Sequence, residues 1–166
     1  KKLETGFDLC MTNLSDGSVS VGSKSGFWQS LIATRASWSQ VVLRLGLAVM
    51  MWPHGAQKLF GWFGGYGFAG TMEFLTQNLP YPVALLVVLG EFFGPILLLV
   101  GFLTRFAAAS LAIIMVGAVV TVHLPNGFFA DKNGFELHIL AIMIALALVI
   151  GGAGSASLDL RLTRRR

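Results

Sequence analysis

Charged side chains are scarce in this sequence. They make up 12% of its 166 residues, while hydrophobic residues reach 55%. Soluble globular domains typically contain about 25% charged residues. So few charges cannot shield so apolar a chain from water, which excludes an ordinary soluble domain. The length allows one domain, and the composition predicts that lipid surrounds it.

Cysteine is nearly absent as well. Cys10 is the single cysteine of the chain, so an intramolecular disulfide is impossible and the CxxC motif of thiol redox enzymes is missing. The net charge of +4 would suggest nucleic acid as a partner of a soluble protein. Here the basic residues gather near the ends of apolar segments, which membrane topology explains. We therefore expect no nucleic-acid partner.

The beginning of the chain lacks apolar periodicity. Residues 1–26 are polar and rich in Ser and Gly, without the apolar h-region of a secretory signal peptide. They predict a disordered or loosely ordered segment. In residues 27–38, and again in residues 68–79, apolar side chains recur at helical spacing. Both stretches predict short amphipathic helices at the membrane interface.

Long apolar runs are what the sequence has in abundance. Each of four runs is about 20 residues long, enough to cross ~30 Å of hydrocarbon as a helix. Four buried helices of a soluble bundle would each show a polar face, and the second run has none. The fold class is therefore all-α: a polytopic membrane protein with a four-transmembrane-helix bundle in residues 40–160. The runs are residues 40–61, 81–101, 104–124 and 135–154.

Lysine and arginine are distributed unevenly in this topology. An even number of spans places both termini and the link between the second and third runs on one side, with Lys58 and Lys132 on the other. Cytoplasmic flanks carry the excess of Lys and Arg. We therefore expect a protein of the bacterial inner membrane with both termini, including a basic tail at 161–166, in the cytoplasm. The cytoplasmic group is Lys1, Lys2, Lys24, Arg35, Arg44, Arg105, Arg161, Arg164, Arg165 and Arg166.

The polar side chains of the runs gather in the outer half of the bundle. Glu91 lies about ten residues, or roughly 15 Å, into its run, where a charged carboxylate costs at least ~2.5 kcal/mol. It should face the interior and find a partner or stay protonated. His138 lies on a face of small residues, whereas Glu136 is placed to reach the outer loop. The candidate pocket residues are His54, Gln57, Lys58, Glu91, His123, Asn126, Glu136 and His138.

Proline and glycine interrupt the helices near these side chains. Pro95 has no N–H, so the carbonyl of Glu91, four residues earlier, loses its helical partner. Pro53 has the same effect in the first run. Gly90 and Gly94 form a small face that lets another helix approach closely. These features favour a functional pocket, with ordinary polar packing as the alternative.

Three stretches around these residues form recognisable motifs. They read RLGLAVMMWPHGAQKLFGWFGG at 44–65, GEFFGPILLLVGFLTRFAA at 90–108, and HLPNGFF with NGFE within 123–136. In these motifs the chain resembles the DoxX family of small bacterial membrane proteins, over residues 41–160. The resemblance implies a four-helix membrane bundle. It further implies a redox setting, because some members resemble the membrane subunit of thiosulfate:quinone oxidoreductases.

Other members of the family look like partners of redox enzymes or support the maturation of other proteins. Those that act on thiols often carry paired cysteines, which this chain lacks. We expect a membrane subunit of a redox system that binds a quinone or small reductant in the outer pocket. Its partners would be the lipid bilayer and either other proteins or further copies of itself.

Three alternatives stay open at this point. A non-catalytic scaffold or assembly partner needs no ligand pocket. A small transporter could use a midplane carboxylate beside a broken helix. A metal site could use the three histidines, but the sequence has no HxxxH or HxH spacing and we expect no metal. The contents and openings of the outer-half cavity discriminate among these functions, and no catalytic residue is assigned.

Overall fold

The computed structural model describes residue 34 and residues 36–164, and all regular structure in that part of the chain is helical. The all-α class is therefore confirmed. The loose segment predicted at 1–26 and most of the helix predicted at 27–38 lie outside the described residues. The α-helices are α1 (Trp38–Phe60), α2 (Gly67–Thr76), α3 (Tyr81–Val100), α4 (Thr104–Ala118), α5 (Glu136–Gly151) and α6 (Leu158–Arg164).

The four long helices pack side by side in a ring. Both α1 and α4 pack against α3 and α5. The buried positions of α1 recur every three or four residues, which is the spacing of one helix face. The alternation of large and small side chains lets the helices lie close together. The main core cluster includes Leu47, Met51, Leu98, Ala108, Leu111, Ala141, Ala145 and Leu148.

Glycine and proline set the ends of the long helices. α1 ends where Gly61 adopts a left-handed conformation (φ 74°) and its N–H bonds to the carbonyl of Gln57 at 3.1 Å. α3 begins after Pro80 and ends at Gly101, also left-handed (φ 67°). Glycine adopts this conformation without steric cost. The turn from Gly101 to Thr104 is tight, so α3 and α4 are antiparallel neighbours.

Two helical stretches are long and apolar enough to cross a membrane. They are α3 and the continuous helix from Thr104 to Asn126. α5 is apolar but has only 16 residues, and α1 has 23 residues but carries Arg44 and Lys58. Two of the four predicted spans therefore meet the requirement by length and composition, and the four-span arrangement stays a prediction.

The winding of α4 changes toward its C-terminal end. The α-helix continues through a π turn, Val119–His123, and a 3-10 turn, Leu124–Asn126. The π turn consists mostly of β-branched residues, whose side chains crowd the preceding turn of a helix. The Thr121 hydroxyl donates to the carbonyl of Gly117 at 2.8 Å. Single π turns inside α-helices often occur at functional sites. Here the turn carries His123 to the rim of a cavity described below.

The two short helices have different origins in the sequence. α2 is present where residues 68–79 predict a helix, and it packs against α1 and α3. The sequence predicts that the fold ends at residue 160 and that a basic tail follows. In the structure, α6 continues to Arg164. Its Asp159 is buried against the α3–α4 turn, which fixes the helix to the bundle.

Candidate functional site

An ion pair between α1 and α3 lies inside the bundle. The ammonium of Lys58 donates to Oε2 of Glu91. The Glu91 side chain is 1% exposed, whereas that of Lys58 is 32% exposed. A carboxylate buried this deeply needs a partner, and Lys58 supplies it. Both are predicted pocket residues, and the structure brings them into contact.

A close approach of two helix backbones positions this pair. A Cβ atom built on Gly55 would collide with the backbone of Glu91 and Phe92. Only glycine permits that distance, so Gly55 sets the separation of α1 and α3. The carbonyl it meets is that of Glu91, which Pro95 cannot reach with a hydrogen bond because proline has no N–H. The break in α3 and the glycine of α1 therefore coincide at the ion pair.

The ion pair borders a cavity of about 470 Å³, within the ~300–1,000 Å³ typical of small-molecule sites. Apolar side chains form most of its wall, and Lys58 and Glu91 form a polar patch. Helices α1 to α4 and the loop before α2 all contribute to it. The lining residues are Gln57, Lys58, Gly64, Gly65, Tyr66, Thr71, Phe74, Leu75, Leu79, Val83, Val87, Glu91, Ile113, Ile114, Gly117, Ala118, Thr121, Val122 and His123.

The packing of α3 on α4 shows how far the cavity extends along the bundle. A Cβ on Gly90 would collide with the side chain of Ile114, and one on Gly94 would lie 3.2 Å from Leu111. The predicted close approach at these two glycines is confirmed. Since α3 and α4 are antiparallel, Glu91 is level with Ile114 at one end of the cavity. The other end is level with Val83 of α3, about eight residues or roughly 12 Å away.

Two histidines meet at the end of the bundle that carries the loop between α4 and α5. The rings of His123 and His138 are in contact, with centroids 3.9 Å apart and planes tilted by 40°, and His138 also interacts electrostatically with His54 and Lys58. His123 Nδ1 donates to the carbonyl of Asn133 at 2.8 Å, which holds the ring at the cavity rim. His138 is not among the lining residues; it supports His123 from α5.

The other predicted pocket residues have separate positions. His54 is exposed and does not line the cavity, whereas Gln57, on the same face of α1, does. Asn126 donates to the carbonyls of Val122 and Asn133 at 3.3 and 3.2 Å. These contacts close the loop after α4 rather than line the cavity. Within residues 36–164, no three His, Cys, Asp or Glu side chains gather into a metal-binding group.

Glu136 acts on the outer loop. Its carboxylate accepts a hydrogen bond from the N–H of Ala130 at 3.1 Å, and its own N–H donates to the carbonyl of Phe128 at 2.9 Å. The sequence analysis placed it within reach of this loop, and the structure has it there. The side chain therefore organises the preceding loop instead of entering the cavity.

Two charged residues are buried at the other end of the bundle, near Gly101. The sequence did not predict that either of them lies in the interior. Arg44 is 3% exposed and donates to the carbonyls of Leu98, Leu99 and Ala156 at 2.9, 2.9 and 2.7 Å. A signal was present, because Arg44 lies on the apolar face of α1, three residues before the buried Leu47.

Asp159 is the second of these charges and is 1% exposed. Its carboxylate accepts hydrogen bonds from the N–H groups of Leu103 and Thr104 at 2.9 and 3.0 Å, and its own N–H donates to Gly101 at 2.9 Å. Leu103 has a left-handed backbone (φ 48°), which these bonds hold in place. No local pattern predicts Asp159, because its partners lie 55 and 56 residues earlier.

Comparison with known proteins gives consistent matches. The sequence profile of the DoxX family matches residues 39–124. One uncharacterized protein of Haemophilus influenzae is 33% identical over 129 residues, which cover 73% of this chain and 81% of that protein. A second uncharacterized protein of the same organism is 34% identical over 124 residues, which cover 70% of this chain and 85% of that protein. A Bacillus subtilis protein named "Putative oxidoreductase CatD" is 26% identical over 119 residues, covering 72% and 83%. No solved structure matches at a significant level.

Proposed function

We propose, from the premise that this chain belongs to the DoxX family of membrane proteins, that it is a membrane subunit of a redox system and binds a quinone or small reductant in the cavity beside Lys58 and Glu91. The observation that carries the proposal is a buried ion pair that opens onto an apolar cavity. The name of the Bacillus subtilis relative agrees with a redox setting.

The chemistry of the cavity suits a quinone ring. Apolar walls that include Leu75, Val87 and Ile114 favour a flat apolar ring, and a few polar groups suffice to orient it. The Lys58 ammonium is the donor that a quinone oxygen needs. Glu91 supplies the counter-charge of Lys58, because an unpaired ammonium beside an apolar wall would be costly.

In the proposed reaction, a partner protein supplies electrons and this chain supplies a proton. A quinone that accepts two electrons and two protons becomes a quinol, and the electrons would come from a partner oxidoreductase. Lys58 donates one proton to the quinone oxygen that it contacts, and water supplies the second proton to the other quinone oxygen. Since its side chain is 32% exposed, water on the outer side can return that proton. Glu91 stays in place as the counter-charge.

Binding is better supported than transport by the same geometry. The cavity lining includes no residue of α1 before Gln57 and none of α3 after Glu91. The half of the bundle below the ion pair is filled by packed side chains such as Leu47, Met51 and Leu98. A transporter needs a route to both faces of the membrane, whereas a ligand site needs one opening.

The proposed setting is the bacterial inner membrane, with four spans and both termini in the cytoplasm. The distribution of lysine and arginine supports this orientation, since Lys58 and Lys132 are the basic residues of the outer side. In a Cys10→Ser background, single cysteines introduced at Asn126 and Thr163 should label from opposite faces of intact membranes. Labelling of both from the outer face would overturn the orientation.

The functional test is Glu91→Gln. This substitution keeps the size of the side chain but removes the charge that holds Lys58 in place. Losing a charge-assisted interaction of about 1.5–3 kcal/mol should weaken binding of a short-chain benzoquinone by at least tenfold, measured by calorimetry in lipid nanodiscs. Thermal stability should stay near that of the wild type, because Lys58 can turn to water.

Glu73→Gln is the matched control, since Glu73 is exposed on α2 and does not line the cavity. It should leave quinone binding unchanged. A Glu91→Gln protein that binds the quinone as the wild type does, and is more stable, would identify the ion pair as structural packing. A wild-type protein that binds no quinone and no small reductant would overturn the proposed function.

A further inference from the structure

Part of the cavity wall is exposed on the surface of the bundle at the depth of the ion pair. Ile113 lines the cavity and is also 72% exposed on the surface of α4. Its neighbour Ile114 contacts Gly90 of α3, so Ile113 is level with Glu91. In a bilayer, this part of the surface faces hydrocarbon, because α3 and α4 are the two stretches that meet the length and apolarity of a span.

The arrangement of the helices explains the opening. α2 packs on α1 and α3, and α4 packs on α3 and α5. Both α2 and α4 line the cavity, so they flank it on the two sides of α3. Phe74 of α2, 51% exposed, faces the cavity from one side, and Ile113 and Gly117 of α4 face it from the other.

We infer that the ligand of this site carries a long hydrocarbon chain and reaches the cavity sideways from the bilayer, through the opening between Phe74 and the Ile113–Gly117 edge of α4. The inference rests on the proposed function and narrows it. A water-soluble reductant is excluded by it, and the ligand is an isoprenoid quinone whose ring lies at Lys58 and Glu91 while its chain extends into the lipid.

The charge of the polar patch selects the kind of amphipathic ligand. Lys58 and Glu91 together are neutral, with a donor and an acceptor side by side. The phosphate of a phospholipid would be drawn to Lys58 but repelled by Glu91 at similar distance. A neutral ring with oxygen acceptors meets the donor without that repulsion. The rest of the wall is hydrocarbon, which suits an isoprenoid chain.

Gly117 is the residue that keeps the opening wide. It is exposed, lines the cavity, and a Cβ built on it meets nothing within 4 Å. Glycine in a helix interior is unfavourable relative to other residues, and here packing does not require it. A larger side chain at this position would fill the opening without displacing a neighbour.

The test compares Gly117→Leu with Gly46→Leu. Gly46 of α1 is also exposed, with nothing within 4 Å of a built Cβ, but it lies outside the cavity lining. Each protein is reconstituted in nanodiscs and titrated with a benzoquinone that has no side chain and with a polyprenyl benzoquinone. Gly117→Leu should weaken binding of the polyprenyl quinone at least tenfold and change the affinity for the tailless quinone less than twofold. Gly46→Leu should change neither.

The outcomes separate this inference from the proposed function. If Gly117→Leu binds the polyprenyl quinone like the wild type, or loses both quinones equally, lateral access past Gly117 is wrong while the ring site stands. If the wild type binds the tailless quinone as tightly as the polyprenyl one, the chain contributes nothing and the inference fails. If the wild type binds neither quinone and carries tightly bound phospholipid by native mass spectrometry, this inference fails, and the proposed function stands only if the protein binds a small reductant.

Discussion

Each end of the bundle contains buried charge, and the two ends satisfy it in different ways. At the end near Gly101, Arg44 donates to three backbone carbonyls and Asp159 accepts from two backbone N–H groups. At the other end, Lys58 and Glu91 bind each other. The first pair of charges is attached to fixed backbone atoms, while the second consists of two side chains beside a cavity.

The difference separates structural charge from charge available to a ligand. The partners of Arg44 and Asp159 are groups of the main chain that cannot move without unfolding a helix end or a turn. Lys58 is 32% exposed and adjoins about 470 Å³ of cavity, so it can bind a ligand without disturbing a backbone hydrogen bond. Burial alone does not distinguish the two ends, since Arg44, Glu91 and Asp159 are all nearly inaccessible.

The largest effect on stability is expected for Arg44→Leu. The substitution removes the Arg44 donor from the carbonyls of Leu98, Leu99 and Ala156, of which that of Leu98 keeps the N–H of Gly101. We expect the free energy of unfolding, measured by SDS titration in mixed micelles, to fall by about 3 kcal/mol. Arg161→Leu, on the exposed side of α6, is the control and should change it little. If the two variants lowered the free energy of unfolding equally, Arg44 would have no special structural role.

A smaller effect is expected for Gly55→Ala, which tests the spacing of α1 and α3 at the ion pair. The new methyl group would meet the backbone of Glu91 and Phe92. Overpacking of this kind costs about 2 kcal/mol, measured by the same titration. Gly46→Ala, in open space on the same helix, should be neutral or slightly stabilising. If Gly55→Ala were as stable as Gly46→Ala, the close approach would not define the site.

The smallest effect comes from neutralising a carboxylate, and it compares the two ends directly. Asp159→Asn loses a charge that holds the N–H groups of Leu103 and Thr104, and should reduce the free energy of unfolding by about 1 kcal/mol. Glu91→Gln should reduce it less, yet weaken quinone binding. Chemical denaturation and quinone titration of both variants check this. If Asp159→Asn impaired quinone binding and Glu91→Gln impaired only stability, the distinction between structural charge and ligand-binding charge would be wrong.

The sequence predicted the polar chemistry of the outer end better than its geometry. Glu91 was identified because a carboxylate in an apolar run needs a partner, and Lys58 was among the candidates. His54 was included because it shares a helix face with Gln57, but face alone does not determine contact with a cavity. The wall contributed by α2, including Phe74, could not be predicted because no single-helix pattern shows which helices flank a gap.

The sequence by itself determined that this protein is helical, that its helices lie where the long apolar runs lie, and that it belongs to a membrane-protein family. Those conclusions depend on local spacing, composition and motif, which are properties of the chain. Only the tertiary structure decided that Arg44 and Asp159 fasten one end, and that a cavity adjoins Lys58 and Glu91 at the other. Those arrangements join residues up to 112 positions apart, and such contacts exist only when the helices have packed.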